Sequence, residues 1–177
     1  MLDKLLQGVE VRSLVGDGTV AVGRLEFDSR KVVPGTLFFA TRGTQADGHA
    51  YIPAAVAAGA AAVVCEELPA ERPVGVTFVQ VPDSTVALGQ VASAFYGHPS
   101  RRLKLVGVTG TNGKTTTATL LYRMFRRLGY KAGLISTVVY CVDDREIPST
   151  HTTPDSIRLN AMMAEMVEAA ATTVSWR

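Results

Sequence analysis

Cysteine is scarce. Cys65 and Cys141 are the only two in 177 residues, too few for a disulfide framework. Cys65 ends the apolar run at residues 60–65, where a small buried hydrophobe is the favoured reading. A reducing compartment suits such a chain, and cytoplasmic residence is expected. Charge is sparse too. Charged residues are 19% of the total, below the usual share of about a quarter. With 18 basic and 16 acidic residues the net charge is +2, which excludes a charge-driven disordered chain and gives no argument for nucleic acid or a membrane surface. The one basic cluster, Arg123, Arg126, Arg127 and Lys131, reads as the solvated face of a helix. Long apolar runs are missing as well. The longest uncharged one, residues 51–65, is too short for a bilayer and is interrupted by Pro53 and Gly59. Residues 1–10 carry three charges and no apolar core, so no signal peptide is expected there.

What is present is a hydrophobic share of 47%, enough for a proper core, in a length that suits one large or two small domains. Strand and helix signals alternate through the first hundred residues. Strands are expected at 25–28, at 36–41 around Leu37, Phe38 and Phe39, at 62–65 and at 76–81. Helices are expected at 51–58, stopped by Gly59, and at 85–96, started by Pro82-Asp83-Ser84. Residues 97–102, with Gly97, Pro99 and polar neighbours, read as a linker, so a first domain is placed at 1–100. A second begins at 103 with a strand to Thr109, a helix at 114–128 stopped by Gly129, and strand material at 132–142. Thr153-Pro154-Asp155 opens a further helix, with the threonine as cap and Leu159, Met162, Met163, Met166, Val167 and Ala170 as its core stripe. The fold class is α/β.

The chemistry concentrates in Gly110-Thr111-Asn112-Gly113-Lys114-Thr115-Thr116, between a strand and a helix. Glycines let the backbone turn so that several N–H groups point at one anion, and the helix N-terminus adds partial positive charge. Lys114 is placed to reach terminal phosphates, and the Thr115 hydroxyl to ligate an accompanying magnesium ion. The common phosphate-loop pattern has a glycine where Val108 stands; here the glycines are Gly107 and Gly110. The end of the motif, Gly113-Lys114-Thr115, is intact. ATP with Mg2+ is the expected cofactor.

The run from Thr109 to Thr116 resembles the ATP loop of the Mur ligases, which build the peptide stem of bacterial peptidoglycan. Earlier segments share the resemblance: Asp28-Ser29-Arg30, Pro34-Gly35, Leu37-Phe38-Phe39-Ala40, Gly43, Asp47-Gly48-His49, residues 55–64 and Ala94-Phe95-Tyr96-Gly97-His98-Pro99. It runs from about residue 25 to about residue 169. Two branches of the family compete, one adding the third stem residue and one adding the terminal dipeptide. His151-Thr152-Thr153-Pro154-Asp155 resembles the Thr-Thr-Pro segment of the first, although many members carry asparagine where His151 stands.

The resemblance implies a substrate site. Phe27 and Ser29 are expected to hold the uridine nucleotide end, with Thr44, Gln45 and Ala46 as the next contact loop. His151, Thr152 and Thr153 are expected at the muramoyl-dipeptide. It implies an ATP-dependent ligase that joins a diamino acid, meso-diaminopimelate or lysine, to UDP-N-acetylmuramoyl-L-alanyl-D-glutamate through an acyl phosphate. A monomer is expected, with no nucleic-acid partner and no membrane insertion. It also implies a three-domain protein: an N-terminal UDP-sugar domain, a P-loop parallel-sheet ATP domain begun at 103–177, and a C-terminal domain that the sequence lacks. An acidic magnesium ligand and a later modified lysine are likewise missing, and residues 171–177 do not resemble the family's continuation. The fragment is therefore expected to be inactive alone. Alternatives are the dipeptide-adding branch and a non-catalytic module that binds nucleotide and UDP-sugar. His49 and His98 read as turn and linker residues.

Overall fold

The computed structural model describes residues 1–43, 46–143, 145–148, 154–169 and 173–176. The chain divides into two units, Met1–Phe95 and Tyr96–Arg177.

In the first unit a short helix α1 (Leu2–Leu5) precedes strands β1 (Ser13–Val15), β2 (Arg24–Glu26), β3 (Thr36–Phe39), β4 (Ala60–Cys65) and β5 (Thr77–Gln80). Helix α2 (Ile52–Ala57) links β3 to β4, and α3 (Ser84–Phe95) follows β5. The sheet order is β1-β5-β4-β3-β2. Strands β2 to β5 are parallel, and β1 adds antiparallel to β5. A parallel sheet covered on both faces needs strands that are apolar throughout. Strands β3 and β4 comply: Thr36, Leu37, Phe38 and Phe39 are all buried, as are Val63, Val64 and Cys65. On one face Phe38, Ala40, Val63 and Phe78 pack with Ile52 and Ala55 of α2. Strand alternation turns Leu37, Phe39 and Val64 to the other face. There α3 packs on β3 and β4 and buries Ala87, Leu88, Val91 and Ala92.

Local polar chemistry ends these elements. The strand expected to run to Asp28 stops at Glu26, because the Asp28 carboxylate accepts the Arg30 N–H at 3.1 Å and turns the chain into the 3₁₀ turn Ser29–Lys31. Asp47 does the same for the 3₁₀ turn Gly48–Tyr51, accepting the His49 N–H at 2.9 Å, so α2 begins at Ile52 rather than Tyr51. Asp83 caps α3, accepting from Thr85 and Val86, each at 2.8 Å. Gly59 at φ +96° stops α2.

The second unit contains β6 (Lys104–Gly107), α4 (Lys114–Arg127), β7 (Ala132–Ile135), β8 (Val139–Val142), β9 (Arg145–Pro148), α5 (Ser156–Glu168) and β10 (Thr173–Trp176). Residues 97–102 form a 3₁₀ turn, Pro99–Arg101, rather than an open linker. The sheet order is β6-β10-β7-β8-β9. Strands β6, β10 and β7 are parallel, while β7, β8 and β9 form an antiparallel meander. The meander follows from loop length: the chain between β7 and β8 is a tight turn, too short for the crossover that parallel strands require. Ser136 locks that turn, its hydroxyl donating to the Val139 carbonyl at 2.8 Å and accepting the Val139 N–H at 3.1 Å.

One expectation for this unit is corrected. The cap of α5 is Asp155, whose carboxylate accepts the Arg158 N–H at 2.8 Å; Pro154 precedes the cap, and Thr153 lies outside the described residues. An acidic side chain one residue before the helix reaches its first amides directly. The segment after α5 contributes β10, an inner strand of the sheet between β6 and β7. Four residues of Thr, Val, Ser and Trp are too few to show a strand period in the sequence. The α5 stripe is core: Met162, Met163 and Met166 pack with Tyr140, Ile135 and Leu103. The apolar stripe of α4 is different. Its buried residue is Ala118, which packs with Leu134 and Cys141, while Leu120, Met124 and Leu128 are exposed.

Candidate functional site

Strand β6 runs into the glycine loop, and α4 leaves it. Gly110 sits at φ +146° and Gly113 at φ +76°, conformations that L side chains rarely adopt. Gly107, the displaced glycine of the motif, is ordinary extended strand with open space where a Cβ would stand. The conformational demand therefore falls on Gly110 and Gly113. Helices α3 and α5 each begin with an aspartate whose carboxylate takes their first amides. Helix α4 begins with Gly113 and has no side-chain cap. Among the described residues no side chain caps its positive end, which is the arrangement an external anion needs. The Lys114 side chain folds over the loop, its Nζ donating to the Gly110 carbonyl and, at 3.1 Å, to that of Thr111. A cation, a helix N-terminus and two left-handed glycines thus converge in seven residues. Thr115 lies one residue into α4.

The first unit has its own cleft, about 630 Å³, lined by Phe27, Asp28, Ser29, Arg30, Ala46 and Tyr51. Its position follows from the sheet. Strands β2, β3 and β4 are parallel, so the segments after them emerge at one edge, where ligands of open α/β sheets gather. Phe27 is 40% exposed and lines the cleft. Arg30 grips Asp28 through two parallel bonds, Nε to Oδ1 at 2.9 Å and Nη2 to Oδ2 at 2.8 Å. The Arg30 side-chain hydrogen bonds hold the Asp28 carboxyl down at about 2, well below its ordinary value. The cleft thus carries a pair that is ionised at neutral pH, the Ser29 hydroxyl position and an aromatic ring.

Two family models match, "Mur ligase family, catalytic domain" over residues 22–96 and "Mur ligase middle domain" over residues 108–175. The chain belongs to the Mur ligase family. The UDP-N-acetylmuramoyl-L-alanyl-D-glutamate--2,6-diaminopimelate ligase of Bacteroides thetaiotaomicron is 52% identical over 168 residues, which are 95% of this chain and 35% of that protein. The chain therefore spans about a third of the length of the curated relatives it matches. A solved structure of a UDP-N-acetylmuramoyl-L-alanyl-D-glutamate--2,6-diaminopimelate ligase superposes with a TM-score of 0.70 at 24% identity, covering 88% of this chain and 31% of that one. A MurF ligase from Thermotoga maritima in complex with ADP gives 0.55 at 24%, covering 86% and 31%. At these identities the likeness is one of fold.

Within this Mur ligase chain, the structure gathers Phe27, Ser29 and Ala46 on one cleft, and Gly110, Thr111, Asn112, Gly113, Lys114, Thr115 and Thr116 on one strand–loop–helix turn. Thr44, Gln45, His151, Thr152 and Thr153 lie outside the described residues. Asp28, Arg30 and Tyr51 were not singled out as cleft residues. The first two were legible only as a family motif, and Tyr51 only as a helix start. The i, i+2 spacing of an acid and an arginine around Ser29 is the signal that could have found the first two. Among the described residues no group of three His, Cys, Asp or Glu side chains is arranged to hold a metal ion. No described helix is long and apolar enough to cross a membrane.

Proposed function

We propose that this chain supplies the UDP-sugar-binding and ATP-binding parts of a ligase that joins a diamino acid to UDP-N-acetylmuramoyl-L-alanyl-D-glutamate in peptidoglycan synthesis. The diamino acid of the relative at 52% identity is 2,6-diaminopimelate, and we assign the same one. The observation that carries the reading is the uncapped start of α4, with Gly113 left-handed and Lys114 over the loop.

A carboxylate is a poor electrophile because its charge repels an incoming amine. ATP, as cosubstrate, supplies the phosphoryl group that makes the D-glutamate carboxyl an acyl phosphate. The chain's own residues bind and neutralise. The loop amides and the start of α4 take phosphate oxygens. Lys114 exchanges its two carbonyl partners for phosphate oxygens and offsets their charge. The Thr115 hydroxyl is the residue here that would hold a magnesium ion. In the first unit, Phe27 offers a stacking face to a uracil ring, and Ser29 and Ala46 border the nucleotide. Thr44 and Gln45 extend that border, and His151, Thr152 and Thr153 grip the muramoyl-dipeptide. The protein acts in the cytoplasm as a monomer, which two free, buried thiols suit.

Peptide-bond formation needs metal ligands and an acceptor site beyond those the described residues bring together, so the 177-residue chain binds substrates without joining them. The test is calorimetric titration of the chain with Mg-ADP and, separately, with UDP-N-acetylmuramoyl-L-alanyl-D-glutamate. Saturable binding of both supports the reading, and binding of neither contradicts it. Tripeptide formation by the chain alone contradicts the division of labour.

A further inference from the structure

The segment between β3 and α2 is closed at its base by an unusual amount of polar structure. Arg42 and Asp47 form an antiparallel bridge, and the Gly43 N–H donates to the Ala46 carbonyl at 3.0 Å. The Gly48 N–H donates to the Thr41 carbonyl at 2.9 Å. Gly48 has no room for a side chain, since a Cβ there would stand 2.6 Å from that carbonyl oxygen. Immediately beyond stands His49, whose side chain is only 14% exposed. Its Nδ1 lies 2.6 Å from Asp47 Oδ1, and its Nε2 accepts the Glu66 N–H at 2.9 Å and the Glu67 N–H at 3.4 Å. The ring therefore bridges the closing end of the 42–47 segment to the chain leaving β4. The charged groups around it are Asp47, Arg42, Glu66 and Glu67. Arg42 pairs with Glu67 and approaches Glu66 at 3.4 Å and Asp47 at 3.7 Å.

The geometry defines the protonation. Nε2 accepts backbone N–H groups, so it carries no proton; Nδ1 donates to the Asp47 carboxylate. A protonated imidazole would set N–H against N–H at Glu66. The placement defines the consequence. Ala46 and Tyr51, three residues before His49 and two after it, both line the cleft together with Phe27, Ser29 and Arg30. Pinning His49 to the end of β4 fixes that lining against the sheet.

We infer that neutral His49 is a positioning residue for the UDP-sugar cleft, holding Ala46 and Tyr51 at the distance from Phe27 and Ser29 that the nucleotide requires. The inference rests on the proposed reading of that cleft. It gives a turn histidine, which is not among the residues lining the cleft, a quantitative role in affinity.

The test uses the full chain. UDP-N-acetylmuramoyl-L-alanyl-D-glutamate is titrated into wild type, His49→Ala and His49→Gln, with Mg-ADP titrated into each as an internal control and far-ultraviolet circular dichroism confirming the fold. The Gln amide oxygen reaches the position of Nε2 and accepts the Glu66 N–H. His49→Ala is expected to weaken the UDP-nucleotide about tenfold, as for a buried donor left unpaired. His49→Gln is expected within about threefold of wild type. Mg-ADP affinity stays unchanged in both. Equal affinity of wild type and His49→Ala, or equal weakening of Ala and Gln, overturns the inference alone. A wild-type chain that binds Mg-ADP but no UDP-nucleotide overturns the reading of the cleft, and the inference with it.

Discussion

Arg30 and Asp28 face each other two residues apart with both guanidinium–carboxylate bonds formed, at 2.9 and 2.8 Å. The same carboxylate caps the turn that carries Ser29 into the cleft. Because Arg30 holds the folded-state pKa of Asp28 at about 2, below an unfolded value of about 3.9, the pair contributes stability above pH ~4. That contribution is lost as the pH falls toward 2. Asp28→Asn should therefore melt below wild type by a small, constant margin across neutral pH, the Arg30 side chain being 87% exposed and the pairing screened by water. The margin should close between pH ~4 and ~2 in thermal melts followed by circular dichroism. A margin that persists at pH ~2 would mean the carboxylate charge is not its source.

The two glycines flanking the phosphate loop should separate cleanly. Gly107→Ala places a methyl in open space on extended backbone, and is expected to leave stability unchanged or raise it by up to about 1 kcal/mol. Gly113→Ala forces a side chain to φ +76°, at a cost of roughly 1–2 kcal/mol, and weakens Mg-ADP binding. Urea unfolding followed by the fluorescence of Trp176, the only tryptophan, in strand β10, measures the first effect. Equal behaviour of the two variants would contradict the account of the loop.

Much of this architecture was legible because the physics involved is local. Phe38 and Val63 sit in runs apolar enough to need cover on both faces, so β3 and β4 read as buried strands. Asp83 before α3 and Gly59 after α2 are punctuation that acts within a turn. Strand β1 was not legible, since Leu14 and Val15 are half exposed and its partner β5 lies more than sixty residues away. Strand β10 depends on neighbours β6 and β7, not on its own pattern. At the α5 start, Thr153 and Asp155 are both good caps by composition, and only geometry shows Asp155 in use. The cleft was half legible: Phe27, Ser29 and Ala46 came from family resemblance, whereas Tyr51 joins them only because the 3₁₀ turn swings it there.

Both thiols should be unreactive in the native protein. Burial pushes Cys65 up to about 11 and raises Cys141 as well, so little thiolate exists at neutral pH. Ellman's reagent is expected to label neither within minutes and both promptly in guanidinium chloride. Rapid native labelling would show that the strand ends at β4 or β8 open.

Leu120 and Met124 on α4 and Leu128 at its C-cap recur every four residues and are 60%, 45% and 64% exposed. Such a stripe favours self-association. The pair Leu120→Gln and Leu128→Gln should reduce light scattering of concentrated protein while changing stability by less than about 0.5 kcal/mol. A large loss of stability would show that the stripe is packed in solution.

The central claim is that the loop at the start of α4 binds the phosphates of ATP, and Lys114→Ala tests it most directly. Isothermal titration with Mg-ATP at neutral pH, on protein of unchanged circular dichroism, should show affinity reduced about 10- to 100-fold, the loss of one charge-assisted contact. Unchanged affinity in the folded variant would contradict the account.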